Sequence, residues 1–407
     1  MRLAVVGVGG YGWGLIKGLA KVSRRLACRV VAAADTRLAE LPERAARLRR
    51  EGVRLYDDAL AMFEDLRERC EAVYVASSIP THAALTVAAA GCGYHVHLEK
   101  PPAATVQDVD EMLRALRQAD RMCLVGFQAL HGHMRLMIDR LTGGGLGRVR
   151  GLTCSAGWPR TREYYERNEW AGRLRCGGGW VLDGPATNAL AHQLAHMLAM
   201  AGPAPGTFAT PTAVRAELYA AGPVESHNVA AMEVQTAEGP VLRFYCSHAT
   251  AGHFGPVIRA DAEKGHAVYA HSQGTTVTGR DGRREHKPYQ AVEQDEMIAN
   301  FIQSVRSGDA GALLCPLAET RKFVVALDGA HESSGRVHRI GQEHWRLVAA
   351  GTPDQRVVVD GLDELLQAAE RQGALPGDLP GAPPWAVAAE PFNVSGYDRF
   401  PQRFQRD

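Results

Sequence analysis

Over residues 1 to about 125, short apolar runs alternate with stretches whose apolar positions recur every three to four residues. The runs at 3–6, 30–34, 72–76, 94–98 and 123–126 read as strands. Between them, groups such as Leu15, Ile16, Leu19 and Val22 fall on one face of a helix. Strand and helix in alternation make βαβ units, which build a doubly wound parallel sheet, so 1–125 is expected to be an α/β domain.

From residue 126 the pattern changes. Longer alternating runs at 148–155, 212–219, 230–236, 241–247, 267–270 and 275–278 are separated by turn residues, with helices at 293–307 and 317–334. This predicts an α+β domain over 126–345 with a large, mostly antiparallel open sheet. Residues 346–407 form a C-terminal extension with a strand at 356–359 and a helix at 362–371. Its last part holds Trp385, Phe392, Tyr397, Phe400 and Phe404, too many aromatics for a disordered linker, so it is expected to pack on the protein or on a partner subunit.

Charge narrows the choice of ligand. The 407 residues carry 46 Lys and Arg against 45 Asp and Glu, a formal net charge of +1, which is no footprint for nucleic acid or an acidic membrane surface. No uninterrupted apolar stretch reaches the roughly 18 residues of a membrane span, and the start of the chain shows no leader pattern. Eight cysteines stand singly, with no CxxC pair, and read as reduced thiols of a cytoplasmic protein. No metal site is expected, because the histidines lack a third ligand at a suitable spacing.

Gly7-Val8-Gly9-Gly10-Tyr11-Gly12 satisfies G-x-G-x-x-G between a predicted strand and a predicted helix. That is the Rossmann setting: Gly7 turns the chain, Gly9 lets the backbone approach a pyrophosphate, and Gly12 packs helix on strand. Asp35, at the end of the second strand, suits the ribose hydroxyls of NAD. Arg37 could attract the extra phosphate of NADP, leaving NAD as the expected cofactor and NADP as the alternative.

The strand at 94–98 runs into Glu99-Lys100-Pro101-Pro102, which places Lys100 at the carboxyl end of a parallel strand, where such sheets hold their ligands. With the fingerprint upstream, Ser77-Ser78-Ile79-Pro80-Thr81-His82 after the 72–76 strand, and Gly126-Phe127-Gln128 after the 123–126 strand, the sequence resembles the glucose-fructose oxidoreductase, inositol dehydrogenase and MocA (Gfo/Idh/MocA) family. The resemblance implies cofactor contacts from Gly7, Gly9, Gly10, Tyr11, Gly12, Asp35, Arg37, Ser77, Ser78, His82, Glu99, Lys100 and Gln128. It also implies that Lys100 bonds the substrate hydroxyl that is oxidised. A partly desolvated lysine beside a cationic ring has its charged form disfavoured, which suits proton exchange.

The family carries an Asp and a His four residues apart at the start of a helix in its second domain. Four residues after Asp183 comes Thr187, whereas Asn188 and His192 have the family spacing if the helix ends at Gly202. That register puts Asn188 and His192 on one helical face. Lys100, His192, Asp183 and Asn188 are thus the candidate catalytic and positioning residues, with either Asp183 or Asn188 at the family's Asp position. Trp158, Tyr164 and Tyr165 lie in a polar aromatic loop suited to a sugar ring, which makes them substrate candidates together with Asn188 and His192, although an oligomer contact fits that loop equally well.

These residues predict an NAD(P)-dependent oxidoreductase that moves a hydride between nicotinamide and a secondary alcohol of a sugar, polyol or cyclic polyhydroxy compound. Two alternatives keep the fold: an NAD-dependent glycosidase or epimerase working by transient oxidation, and a sugar or nucleotide sensor that only binds. The family's habit of pairing through the open sheet implies a homodimer or homotetramer.

Overall fold

Strands buried on both faces read as continuous apolar runs, and the first unit is built from them. The computed structural model describes residues 1–132, 134–289 and 293–405. The first of its two units comprises residues 1–103, 107–132 and 290–321. It holds β1 (Arg2–Val6), β2 (Arg29–Ala34), β3 (Arg54–Tyr56), β4 (Ala72–Val75), β5 (His95–Leu98) and β6 (Cys123–Val125), all parallel, in the order β3-β2-β1-β4-β5-β6. Leu3, Val5, Val73, Val75, Val96 and Leu98 are fully buried. The helices α1 (Gly10–Val22), α2 (Pro42–Arg50), α3 (Ala59–Asp65), α4 (His82–Gly91) and α5 (Val106–Ala119) alternate with the strands. The order reverses between β1 and β4, and the carboxyl ends there mark the crevice where such sheets bind ligands.

Strand β3 was not anticipated. Its three residues, Arg-Leu-Tyr, are exposed or half-buried at the sheet edge and carry no apolar run. The helix Glu293–Ser307 also packs in this unit, where Met297, Ile298, Phe301 and Ile302 join Leu3, Val5, Leu15 and Leu19 in one core.

The second unit comprises residues 104–106, 133–289 and 322–407. Its main strands are β7 (Val149–Gly157), β8 (Pro211–Ala220), β9 (Val229–Thr236), β10 (Val241–Ser247), β11 (Phe254–Ala262), β12 (Gly265–Ala270), β13 (Gly274–Gly279) and β14 (Arg284–Pro288). They run β14-β13-β12-β11-β7-β10-β9-β8, antiparallel except for the parallel pair β7 and β10. Short segments at His338–Arg339 and Phe392–Asn393 pair with β8. Strand β14, Arg-Glu-His-Lys-Pro, has no apolar residue to announce it; its charges sit at a sheet edge, where they discourage further pairing.

Strand alternation gives this sheet two apolar faces. Leu152, Cys154, Leu242, Phe244, Met232 and Val234 are buried on one side. On the other, Tyr219, Val229, Ala231 and Tyr245 form a cluster with Val359, Leu362, Leu366, Ala369, Leu375 and Trp385. The C-terminal extension therefore covers this second face within the same chain. It contributes the hairpin of β15 (Trp345–Val348) and β16 (Arg356–Val359) and the helix Leu362–Gln372. Glu332, fully buried, secures the tail by accepting from the Tyr397 hydroxyl and from the amides of Gln402, Arg403 and Phe404 at 2.6–2.7 Å. Among the described residues no helix is long and apolar enough to cross a membrane.

Candidate functional site

In the first unit the glycine turn is made by backbone geometry. Gly7 has φ +93°, and a Cβ there would sit 2.3 Å from the Ala76 carbonyl oxygen; one at Gly12 would sit 2.1 Å from that of Gly7. A side chain at Gly7 would push the turn away from the end of β4, and one at Gly12 would push α1 away from the turn. Gly10 and Tyr11 open α1, and amides in a first helical turn have no helical carbonyl to meet, so they suit an anion.

Asp35 follows β2 and braces this turn. Its Oδ2 accepts from the Val8 and Gly9 amides at 2.7 and 3.2 Å, and its Oδ1 accepts from the Arg37 amide at 2.9 Å. The Arg37 guanidinium lies beside Gly9 and 3.9 Å from Glu40, with its side chain 64% exposed. Sequence reading had given Asp35 a ribose and no bond to the turn. The residues fit a dinucleotide: a glycine turn closed by backbone contacts at Gly7 and Gly12 and open at Gly10, a helix N-terminus above it, and a carboxylate at its rim.

At the carboxyl ends of β4 and β5, backbone and side chains interlock. The His82 ring lies 2.9 Å by Nδ1 from the Pro101 carbonyl oxygen and 3.2 Å by Nε2 from that of Ser77. A neutral imidazole can donate to only one of them, and burial pushes the His82 pKa down. His82 therefore ties the loop after β4 to the loop after β5, in which Lys100 and Pro101 are joined by a cis peptide bond. The Thr81 hydroxyl lies 2.8 Å from both Ser77 Oγ and the Ser78 carbonyl oxygen. Glu99 is buried, and its pKa is raised to about 7 by that burial, although the charge of Lys100 works against the rise. Glu99 Oε2 accepts from the Lys100 amide at 3.2 Å. Gly126 leaves room for Glu99, because a Cβ there would be 2.7 Å from its Oε1. Gln128, half-buried, opens a short turn after β6, and the Tyr11 hydroxyl lies 3.4 Å from Gln294 Nε2.

In the second unit the expected register fails. Asn188 does not share a helix with His192: residues Pro185–Ala189 form a separate wide turn, closed by the Leu190 amide on the Pro185 carbonyl, and the next helix is Ala191–Ala201. The Thr187 hydroxyl tightens that turn by accepting from the Gly184 amide at 2.8 Å and donating to the Leu182 carbonyl at 2.5 Å. Asn188 instead donates from Nδ2 to Asp183 Oδ1 at 2.9 Å, so the two candidates for one family position are partners. Asp183, 2% exposed, also accepts from the Gly172 amide at 2.7 Å. It follows Leu182, whose φ of +53° is unusual for a branched residue. His192 is half-buried, with its ring 5.8 Å from that of the buried His196.

The aromatic loop packs into an ordered cluster. Both Arg160 and Arg167 lie over the Tyr164 ring, at 4.6 and 3.6 Å from its centroid, and Arg160 also approaches the Trp158 ring at 5.5 Å. Tyr164 meets Tyr165 and His248 edge to face. Its ring is thus engaged by cations rather than left open for a sugar. Tyr165, by contrast, lines a cavity together with Arg160, His248 and Arg356. From the sequence, Arg160 belongs to that polar aromatic loop and Arg356 to the 356–359 strand, but neither is singled out as a site residue and nothing local brings the two together.

Comparisons with known proteins agree with this geometry. Residues 1–127 match the Gfo/Idh/MocA family, an oxidoreductase family with an NAD-binding Rossmann fold. Myo-inositol 2-dehydrogenase from Thermotoga maritima is 31% identical over 128 residues, 31% of this chain, and the match spans only 36% of that protein. Two solved structures share the fold over most of the chain. The WlbA dehydrogenase of Chromobacterium violaceum, in complex with NADH and UDP-GlcNAcA, has a TM-score of 0.67 at 20% identity and covers 82% of this chain and 93% of its own. The aldose-aldose oxidoreductase of Caulobacter crescentus, complexed with glycerol, has a TM-score of 0.64 at 18% identity, over 82% and 97%. The likeness to the Gfo/Idh/MocA oxidoreductases, with their NAD-binding Rossmann fold, thus falls on residues 1–127, the segment that carries the glycine turn, Asp35 and Lys100.

Proposed function

We propose that the chain is an NAD(P)-dependent oxidoreductase acting on a CH–OH group of a sugar, polyol or cyclic polyhydroxy compound, with NAD as the preferred cofactor. The observation that carries the reading is Lys100 at the carboxyl end of β5, in a loop that His82 ties to the strand neighbouring the glycine turn. Relatives of similar fold that are described with inositol, UDP-GlcNAcA or aldoses support a polyhydroxy substrate.

The dinucleotide, when bound, supplies hydride acceptance or donation, and the protein supplies position and proton traffic. The amides that open α1 would hold its pyrophosphate, and Asp35 would serve its ribose. Lys100 Nζ takes the hydroxyl proton as the alcohol carbon is oxidised and returns it in the reverse direction. Glu99 keeps a carboxyl group beside that amine, and His82 fixes the backbone on which it stands. Within the second unit, Asp183 holds the Asn188 amide in place, and Asn188 and His192 are the candidates there for binding hydroxyl groups.

Lys100→Ala tests the assignment. NADH binding, followed by fluorescence titration, is expected to persist, while turnover falls by about three orders of magnitude at 340 nm on whichever sugar or polyol the wild type oxidises. Unchanged turnover would remove Lys100 from the mechanism. Product released without accumulated NADH would indicate transient oxidation instead.

A further inference from the structure

The second unit contains a cavity of about 640 Å³, bounded by the loop after β7, the loop at 223–225 and the hairpin β15–β16. Its size is that of a site for a whole small molecule. Four arginines line it: Arg160, Arg162, Arg173 and Arg356. Arg162 is neutralised by Glu166 at 2.6 Å. Among the described residues Arg160, Arg173 and Arg356 have no carboxylate within salt-bridge distance, and the only other acid on the wall is Glu225. Counted by side chain, four cations face two carboxylates, an excess of two positive charges.

The cationic wall is also short of hydrogen-bond partners. Among the described residues, none bonds the buried Nε atoms of Arg160 and Arg356, Tyr165 Oη or His248 Nε2. Buried polar atoms in native proteins are seldom left so, and here they converge on one cavity. His248 is 3% exposed, and burial together with the nearby Arg160 pushes its pKa down to about 3. Its Nδ1 lies 2.9 Å from the Trp158 carbonyl oxygen, so the neutral ring donates there and presents a lone pair at Nε2. A lone pair there asks for a hydroxyl donor, and guanidiniums without acids ask for an anion. Neither demand is met by a neutral apolar guest.

We propose that this cavity binds an anionic polyhydroxy compound, a sugar acid or sugar phosphate, whose acidic group meets Arg160, Arg173 and Arg356 and whose hydroxyl groups reach His248 and Tyr165. The inference rests on the proposed oxidation of a polyhydroxy substrate for the hydroxyl-bearing part of the ligand; the anionic part comes from the arginines alone. Gly172 connects the cavity to the candidate residues of this unit, because it lines the wall while its amide donates to Asp183.

The test uses the full-length protein without cofactor, titrated calorimetrically with D-glucose, D-glucuronate and D-glucose 6-phosphate. At least one charged probe is expected to bind about tenfold or more tightly than glucose at low ionic strength, and to lose most of that advantage in 1 M salt. Which charged probe binds more tightly distinguishes carboxylate from phosphate. Arg356→Gln is expected to weaken the charged probes about tenfold more than it weakens glucose. Arg173→Gln, at an exposed position where folding is not at risk, should do the same to a lesser degree, and Arg356→Lys should fall between wild type and Arg356→Gln. Charged probes that bind no better than glucose, or that are unaffected by both glutamine variants, overturn the proposal. A parallel NADH titration separates the two readings. Failure to bind NADH with charge-dependent probe binding intact removes the oxidoreductase and spares the cavity, whereas NADH binding without charge dependence does the reverse.

Discussion

The two units prepare for ligands in different ways. In the first, the chain itself makes the site: glycines at Gly7 and Gly12 bring backbones into contact, and Asp35 spends its carboxylate on the amides of the turn. In the second, side chains drawn from distant segments make the cavity, with Arg160 after β7, His248 after β10 and Arg356 in β16. A backbone site is contiguous in sequence and depends on conformation. A side-chain site is scattered and depends on the packing that gathers it.

The strongest way to break that comparison is to remove the packing. Deleting residues 362–407 would strip Leu362, Leu366, Ala369, Leu375, Leu379 and Trp385 from the sheet face they cover, and leave Glu332 without the tail amides it accepts from. Each large buried side chain contributes about 1.5–3 kcal/mol, so the loss rivals the whole stability of a domain, about 5–15 kcal/mol. The second unit is expected to unfold or aggregate, seen as lost amide protection in hydrogen exchange, while strands β1 to β6 keep theirs. Loss of protection spread equally over both units would mean that they do not fold as separate bodies.

The same contrast explains what could be read in advance. The parallel sheet and its glycine turn were legible because apolar runs, Gly7, Gly12 and Asp35 lie close together and each obeys a local rule. The antiparallel strands β8 to β10 were legible by alternation, and the helix Glu293–Ser307 by its apolar spacing. Asn188 was misplaced because periodicity cannot distinguish a continuous helix from a wide turn followed by one; the hydroxyl of Thr187 and the ring of Pro185 decide that locally. The arginine cavity was invisible, since Arg160 and Arg356 become neighbours only through the hairpin β15–β16. The Arg162 amide marks that closure by donating to the Gln355 carbonyl at 2.7 Å.

Acid sharpens the comparison, because each unit holds a histidine pushed down to about 3. His97, in β5, stacks on Tyr74 at 4.5 Å, meets Phe301 edge-on, and finds no hydrogen-bond partner for either ring nitrogen among the described residues. Its folded pKa lies below the ordinary 6.5. As pH falls below 6.5 the unfolded chain therefore takes a proton that the folded chain refuses, and stability is lost by about 1.4 kcal/mol per pH unit toward pH 3. His97→Phe keeps the stack and should remove one proton from that slope in urea melts between pH 6.5 and 4.5. A slope that stays unchanged would mean that His97 is already protonated in the folded protein. His248→Phe should flatten the slope similarly but also cost the bond to Trp158.

The smallest expected effect sets one arginine against another. Arg37 stands at the rim of the glycine turn, mostly exposed, with Glu40 at 3.9 Å and the Asp35 carboxylate also close by. An exposed guanidinium beside an acid is screened and partly neutralised, which limits its attraction for a further phosphate to about 1 kcal/mol or less. Arg37→Ala should therefore weaken NADPH binding by no more than about fivefold and leave NADH within about twofold, as read by fluorescence titration at 0.15 M salt. Among the described residues no carboxylate lies within salt-bridge distance of the half-buried Arg356, and its loss should be felt more strongly on an anionic probe. If Arg37→Ala instead abolished NADPH binding while sparing NADH, exposure and neighbouring acids would be a poor guide to what an arginine contributes here. The weight placed on the unpaired arginines of the second unit would then have to be reduced in proportion.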